Sequence, residues 1–445
     1  MNQLVCIIGA GAAGIAAAKT LKKAGIDFIV KEKELDAGGI WDENRMFSPM
    51  YKNLHLISPN SLMMYEDDPF PEYTPDFASY RYIKSYFHKV IDKYQMHDNF
   101  EYGCHVVNVE YRSSAWFVHD SHGNISQHKY LIIASGMQSR AKMLEIVHDN
   151  SILIIHSVDY RSPSQLLDKR VLVIGGGQTS IDVAKDGVIA AHSVIHSMRQ
   201  KPNWFPKYSN GFKPSELLYF KTPAPVWVKR IIMNQMAAKI HNLPVFSKLP
   251  KRERVMNAII DQNHLEHYVR RDIIVKPGIE RISEKTVYFY DGTKAEVDLI
   301  VAATGYYTEF PFIDRQYLRM LGSDRYPNFF AHTLHPIDPS IFTCGILHPV
   351  GGHWPTYELQ SKLIEKSIAL TERKQWATLE LLKSTPEPNY NRLEMYLSQS
   401  DYPVIEKITY HRFLKSLLAK FDMNQKQVTL REPMLEKKQP PVKKI

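Results

Sequence analysis

Two stretches of the chain share one hydrophobic pattern. Leu4-Val5-Cys6-Ile7-Ile8 is an unbroken apolar run, followed by the glycine-rich Gly9-Ala10-Gly11-Ala12-Ala13-Gly14, an alanine-rich span to Ala24 and a second apolar run, Phe28-Ile29-Val30. Short apolar runs bounded by glycine predict strands covered on both faces, and the alanine-rich span between them predicts a helix. The same order recurs at Val171-Leu172-Val173-Ile174, then Gly175-Gly176-Gly177-Gln178-Thr179-Ser180, a helical span to about Gly187 and a strand over 193–197. Further strands are predicted at 104–109, 116–118, 130–136 and 298–306. The last two run into the small-residue turns Ala134-Ser135-Gly136 and Ala303-Thr304-Gly305. The pattern therefore predicts an α/β protein built on two strand–turn–helix–strand units.

Each turn sits where a dinucleotide pyrophosphate is held, after a strand and at the start of a helix. Gly9 allows the tight turn, Gly11 lets the backbone approach a phosphate, and Gly14 lets helix and strand pack closely. The helix N-terminus offers its free N–H groups. In the second unit Gly175 and Gly177 take these places, and Ser180 replaces the third glycine. The residues that end the second strand of each unit differ in charge: Glu32 in the first, Arg199 in the second. A carboxylate accepts hydrogen bonds from a ribose hydroxyl and repels a 2′-phosphate, whereas a guanidinium grips that phosphate. Site one thus suits a free ribose and site two suits NADPH. Two nucleotide sites in one chain imply a relay in which a nicotinamide passes hydride to a second bound redox cofactor, with FAD the natural candidate for site one.

At 445 residues, 44% hydrophobic and 23% charged, the chain is long enough for two or three domains with their own cores. The strand-to-turn endings mark hinges near 160 and 305. An FAD-binding domain is expected from 1–160 and 305–423, hence discontinuous, with an NADPH-binding domain over 161–304. A helical insertion is read at about 208–266 and a flexible basic tail at 424–445. Cys6, Cys104 and Cys344 are too far apart in sequence for a disulfide framework, a thiol zinc site or a redox dithiol, so a reducing cytoplasm is expected. No transmembrane segment, signal peptide, nucleic-acid partner or metal site is read. A homodimer stays open. The basic tail and the atypical middle segment leave a non-catalytic nucleotide-sensing or membrane-docked protein as a third reading beside the enzymes considered next.

Several motifs resemble the flavin-containing monooxygenase family over most of the chain to about residue 370. Glu32-Lys33 with Gly38-Gly39-Ile40-Trp41 is similar to its acid-then-GGxW segment, and Asp68-Pro69-Phe70-Pro71 to its FPFP-like loop. His156 through Tyr160 matches the HxxxY end of its signature, whose Phe and Gly positions hold Asn150 and Ile152 here. Arg199, Trp204 and Pro206 resemble its Arg/Trp/Pro neighbourhood for the NADPH phosphate. Ala303-Thr304-Gly305-Tyr306 matches its ATGY linker, and the segment from Gly345 through His353-Trp354 to Glu358-Leu359-Gln360 is similar to one packed beside the isoalloxazine.

The resemblance implies FAD held by Gly9, Gly11, Ala12, Ala13, Gly14, Glu32, Lys33, Gly39, Ile40, Trp41, Val106 and Gln360. It implies NADPH held by Gly175, Gly177, Gln178, Thr179, Ser180 and Arg199, with Thr304, Gly305 and Tyr306 at the linker. It further implies that oxygen added at the flavin C4a is passed to a small substrate, an amine nitrogen or a sulfur. A ketone oxygenated in Baeyer–Villiger fashion, or an NADPH oxidase or flavin reductase that releases peroxide, are the alternatives. The last is motivated by Ile57, which stands where the family's monooxygenases carry an Asn near flavin and nicotinamide; Ser58 and Asn60 are its polar neighbours.

Overall fold

The computed structural model describes residues 4–45, 47–146, 151–216, 228, 231, 235, 239–240, 242–250, 258–261, 264–322, 324–388 and 404–435. The chain begins with β1 (Val5–Ile8), α1 (Ala12–Lys23) and β2 (Phe28–Lys31), and later adds α2 (Tyr80–Lys93) and β3 (Phe100–Glu101). An antiparallel meander follows, β4 (Val106–Arg112), β5 (Ala115–Asp120) and β6 (Ile125–His128), and then β7 (Tyr130–Ile133). After β8 (Arg140–Ala141) the second unit comprises β9 (Leu153–His156), β10 (Arg170–Ile174), α3 (Gln178–Ala190) and β11 (Ser193–Ser197). Next come β12 (Asn203–Phe205), β13 (Ala258–Ile260), β14 (Ile273–Lys276), a second meander of β15 (Ile279–Ser283), β16 (Thr286–Phe289) and β17 (Lys294–Glu296), and β18 (Leu299–Ala302). The chain returns through β19 (Tyr306–Tyr307) to β20 (Ile341–Thr343), α4 (Trp354–Glu372), α5 (Trp376–Lys383) and α6 (Lys407–Leu435).

Two five-stranded parallel sheets result, ordered β20-β7-β1-β2-β3 and β14-β11-β10-β18-β9. All four residues of β1, β7 and β18 are buried, which is why these strands read as continuous apolar runs: a parallel sheet is covered on both faces. In the first sheet one face packs under α1, α2, α4 and α6. The other lies against the first meander, with Trp116 fully buried there. The second sheet repeats this layering with α3 on one face and the second meander on the other. α1 is rich in alanine and glycine, so α4 approaches it closely, and a buried ion cluster fastens the pair. Lys19 of α1 meets Asp68 Oδ2 at 2.5 Å and Glu358 Oε1 of α4 at 2.7 Å, so neither carboxylate is left uncompensated.

The domain boundaries shift from those expected. β9 pairs with β18 inside the second sheet, so residues 153–156 belong there and the first crossing falls before residue 153 rather than near 160. The two crossings are hydrogen-bonded to each other as β8 and β19, Ala141 opposite Tyr306 and Arg140 opposite Tyr307. α6 runs to Leu435, so the first part of the expected flexible tail is helical. That stretch contains no glycine and no proline before Pro433, and nothing earlier in it breaks a helix. Residues 436–445 and about half of the insertion expected at 208–266 lie outside the described residues. Among the described residues no helix is long and apolar enough to cross a membrane.

Candidate functional site

The first turn begins where β1 ends. Gly9 N–H donates to Lys31 O at 2.9 Å, and Gly9 has φ +105°. A Cβ there would lie 2.7 Å from the Ala134 carbonyl oxygen. A Cβ on Gly14 would overlap the Gly9 carbonyl, so helix and turn touch through backbone alone. Gly11 is different: a Cβ on it would meet only Gly39 Cα, at 3.6 Å. Its outer side is the face of the turn that the chain does not fill, and α1 starts there without a side-chain cap. These are the properties of an anion cradle. Gly39, with φ +57°, folds the loop after β2 onto Gly11.

Glu32 is 6% exposed. Its Oε2 accepts the Ala10 N–H at 2.6 Å and its Oε1 the Glu34 N–H at 3.0 Å, so the carboxylate braces the turn as well as standing beside it. Burial pushes its pKa up, against the pull of these two donors. Cys104 N–H donates to Glu32 O at 2.8 Å, which brings the start of β4, including buried Val106, to the same edge. Lys33 and Ile40 are exposed and Trp41 is half-buried. Ser135 Oγ and Gln138 Oε1, on the turn after β7, are buried without a hydrogen-bond partner among the described residues. Unpaired buried polar atoms beside an open glycine turn fit a polar ligand such as FAD.

The second turn repeats the first. Gly175 N–H donates to Ser197 O at 3.1 Å, and a Cβ on Gly175 would lie 2.5 Å from Ala303 O, whereas Gly176 and Gly177 face open space. Ser180 is fully buried and donates to Gly177 O at 2.7 Å, so the serine replaces the third glycine without opening the turn. Gln178 is held by Asp182 Oδ1 at 3.0 Å and by the Ile260 N–H at 3.1 Å; Thr179 is half-buried at the helix start. Arg199 lies two residues past Ser197, the register partner of Ile174, as Glu32 lies one past Lys31, the partner of Ile8. It is exposed and enters no ion pair with the described residues.

Other expected residues sit elsewhere. Gln360 is fully buried: its Oε1 accepts the Gly345 N–H at 3.0 Å, and its amide donates to Tyr410 Oη at 3.0 Å and His332 O at 3.2 Å. With both polar atoms engaged internally, the side chain supports the Gly345 turn. Trp354 belongs to an aromatic core with Tyr86 and Phe87, at 5.5 and 4.7 Å between centroids. Trp204 is buried against Tyr268. At the linker Thr304 Oγ1 donates to Lys142 O, Gly305 has φ +92°, and the Tyr306 ring meets Phe47 and His156 edge-on.

Two histidines each support a glycine turn: His196, which escaped the sequence reading, and His156, which entered it only as the start of the HxxxY segment. His196 Nε2 donates to Gly175 O at 3.0 Å while its Nδ1 accepts from Tyr268 Oη at 2.7 Å. His156 Nε2 donates to Gly305 O at 3.1 Å while its Nδ1 accepts the Val158 N–H at 3.1 Å. A histidine inside an otherwise apolar buried strand was the available signal. Burial lowers the His196 pKa from 6.5 to about 4, so the folded chain resists a proton that the unfolded chain accepts. Stability from this group is complete above pH 6.5 and lost as pH falls toward 4, by about 1.4 kcal/mol per pH unit. His335 and His348 are lowered in the same way. The melting temperature is therefore expected to fall steadily between pH 6.5 and 4, and His196→Asn to flatten that fall.

Comparison with known proteins agrees with this arrangement. The family model for flavin-binding monooxygenase-like proteins matches residues 2–435. A 4-hydroxybenzoate brominase (decarboxylating) of Pseudoalteromonas luteoviolacea is 26% identical over 401 residues, 82% of this chain and 74% of that protein. Dimethylaniline monooxygenase (N-oxide-forming) 2 of Oryctolagus cuniculus is 24% identical over 430 residues, 89% of this chain and 78% of that protein. The crystal structure of cyclohexanone monooxygenase from Rhodococcus sp. Phi1 bound to NADP+ superposes with a TM-score of 0.70 at 17% identity, covering 94% of this chain and 97% of that one. The chain belongs to the flavin-binding monooxygenase-like family and is a flavin-dependent oxidoreductase using FAD and NADPH.

Proposed function

We propose that the protein is an NADPH- and FAD-dependent monooxygenase that places one oxygen atom from O2 on a small nucleophilic substrate, an amine nitrogen or a sulfur. The observation that carries this reading is the pair of equivalent glycine turns, one ending beside Glu32 and the other beside Arg199, in two sheets whose crossings pair as a two-stranded ribbon. On this reading Gly9, Gly11, Gly14, Glu32 and the N-terminus of α1 hold FAD, with Ser135 and Gln138 supplying polar contacts. Gly175, Gly177, Gln178, Thr179, Ser180 and Arg199 hold NADPH. When bound, the two cofactors supply hydride transfer and oxygen activation, so the chain needs no nucleophile or metal of its own for that chemistry. The residues orient the two partners, balance their phosphate charge and keep water out.

The similar proteins include a brominase, an N-oxide-forming enzyme and a cyclohexanone monooxygenase, so kinship supports the cofactor chemistry and leaves the substrate open. One observation favours a second reading, a peroxide-releasing NADPH oxidase. Ile57 offers no hydrogen-bond donor, and the Asn60 amide is already committed to the Thr74 and Pro75 carbonyls at 3.3 and 3.1 Å. Only the half-buried Ser58 hydroxyl remains as a substitute among the three. Peroxide released per NADPH consumed, measured across amines, thioethers and ketones, separates the readings. Oxygen transfer predicts a marked fall in peroxide with at least one amine or thioether and an oxygenated product by mass spectrometry. A coupled ketone would shift the reaction class, and full peroxide yield with every compound would establish the oxidase.

A further inference from the structure

Residues 50–54 are carried by the first domain but lodge in the second. Tyr51 is 3% exposed and packs with Tyr160 and Ile181 in the core beneath α3. Its hydroxyl donates to Asp182 Oδ2 at 2.5 Å. One helical turn on, Asp186 accepts Asn53 Nδ2 at 2.8 Å on one oxygen and Tyr160 Oη at 2.8 Å on the other. The Lys52 N–H donates to Arg161 O at 2.8 Å. The Arg161 guanidinium in turn collects the carbonyls of Ser48, Val158 and Tyr160. The chain then goes back: Leu56 N–H donates to Ala78 O at 2.9 Å, and Ile57 and Ser58 follow at once.

The far end of this strap reaches the second glycine turn. Asp182 Oδ1 accepts Gln178 Nε2 at 3.0 Å, and Gln178 is the first helical residue after Gly177. A relay of partly buried hydrogen bonds, Gln178 to Asp182 to Tyr51, thus joins the second glycine turn to the segment containing Ile57 and Ser58. Such bonds are directional and costly to leave unmade where water is partly excluded. A shift of α3 must therefore move the strap or break them. Asp76 also crosses between the domains, to Tyr208 at 2.8 Å and Lys213 at 2.7 Å, a contact that does not involve Gln178 or Asp182.

We propose that Tyr51 and Asn53 are positioning residues that couple the second glycine turn to the Ile57–Ser58 segment, so that nucleotide held at α3 sets the alignment for hydride transfer. This rests on the function proposed above. The test uses full-length, FAD-loaded protein and the rate at which saturating NADPH bleaches the flavin. Tyr51→Phe and Asn53→Ala are each expected to lower that limiting rate by about tenfold, the equivalent of one lost hydrogen bond's worth of alignment. FAD content and the NADPH concentration for half-saturation should stay near wild type. Asp76→Asn serves as the control and should bleach at the wild-type rate.

Unchanged limiting rates in FAD-loaded Tyr51→Phe and Asn53→Ala, or an equal loss in Asp76→Asn, would overturn the coupling while leaving the proposed function standing. Failure of the wild-type protein to bleach with NADPH would overturn both. A second measurement needs no variant: NADP+ added to the wild-type protein should slow amide exchange across 51–58 as well as around 175–182. Protection confined to the second turn would refute the strap even if the variants failed to fold.

Discussion

Gly11→Val is expected to give a folded protein that purifies nearly colourless. A valine branch would project from the open side of the first turn, where the chain itself places only Gly39 Cα within 4 Å. Overfilling such a site costs about 1–3 kcal/mol, and losing the approach to the α1 N-terminus adds to it, so FAD retention should drop by about 100-fold or more. Gly14→Ala gives the contrast. Its Cβ would collide with the Gly9 carbonyl, so that variant should lose both flavin and fold. Flavin absorbance relative to protein, read beside circular dichroism, distinguishes the two. A fully yellow Gly11→Val protein would remove the first turn from the FAD site.

Arg199→Ala should raise the KM for NADPH by about 10–100-fold, as expected for losing charge-assisted hydrogen bonds to a phosphate. NADH, which lacks that phosphate, should be hardly affected. The residue is well suited to the experiment because it is exposed and in no ion pair with the described residues, so its removal leaves no buried charge behind. Arg199→Lys should fall between, keeping the charge and losing the planar fork. Equal losses with both nucleotides would show that Arg199 does not read the phosphate.

The parts of the fold legible in the sequence were those whose physics leaves a local mark. β1, β7, β10 and β18 are buried on both faces and so appear as apolar runs, and both glycine turns are fixed by backbone collisions that forbid a side chain. β9 was harder to read because it is the edge strand of its sheet, with Leu153 60% exposed. Its place beside β18 depends on a partner 146 positions away in register, Leu153 against Leu299. Gln360 was legible only through motif kinship: the bonds it makes to Gly345, His332 and Tyr410 join residues up to 50 positions away and leave no local mark. The strap at 50–54 left no trace in composition or spacing. Tyr51 and Asn53 are ordinary loop residues until α3 supplies the carboxylates opposite them.

The outer strand of the first sheet comes from near the far end of the chain. β20 covers the flank of β7, and α4 covers α1, yet both are synthesised only after the whole second sheet. A nascent chain on the ribosome consequently holds a bare, fully apolar edge, Tyr130–Ile133, through the making of just over two hundred further residues. An exposed edge of that kind invites pairing with other chains. Maturation of this enzyme is thus a race between completing translation and aggregation, and chaperone supply or slowed elongation will govern its soluble yield more than the stability of the finished fold.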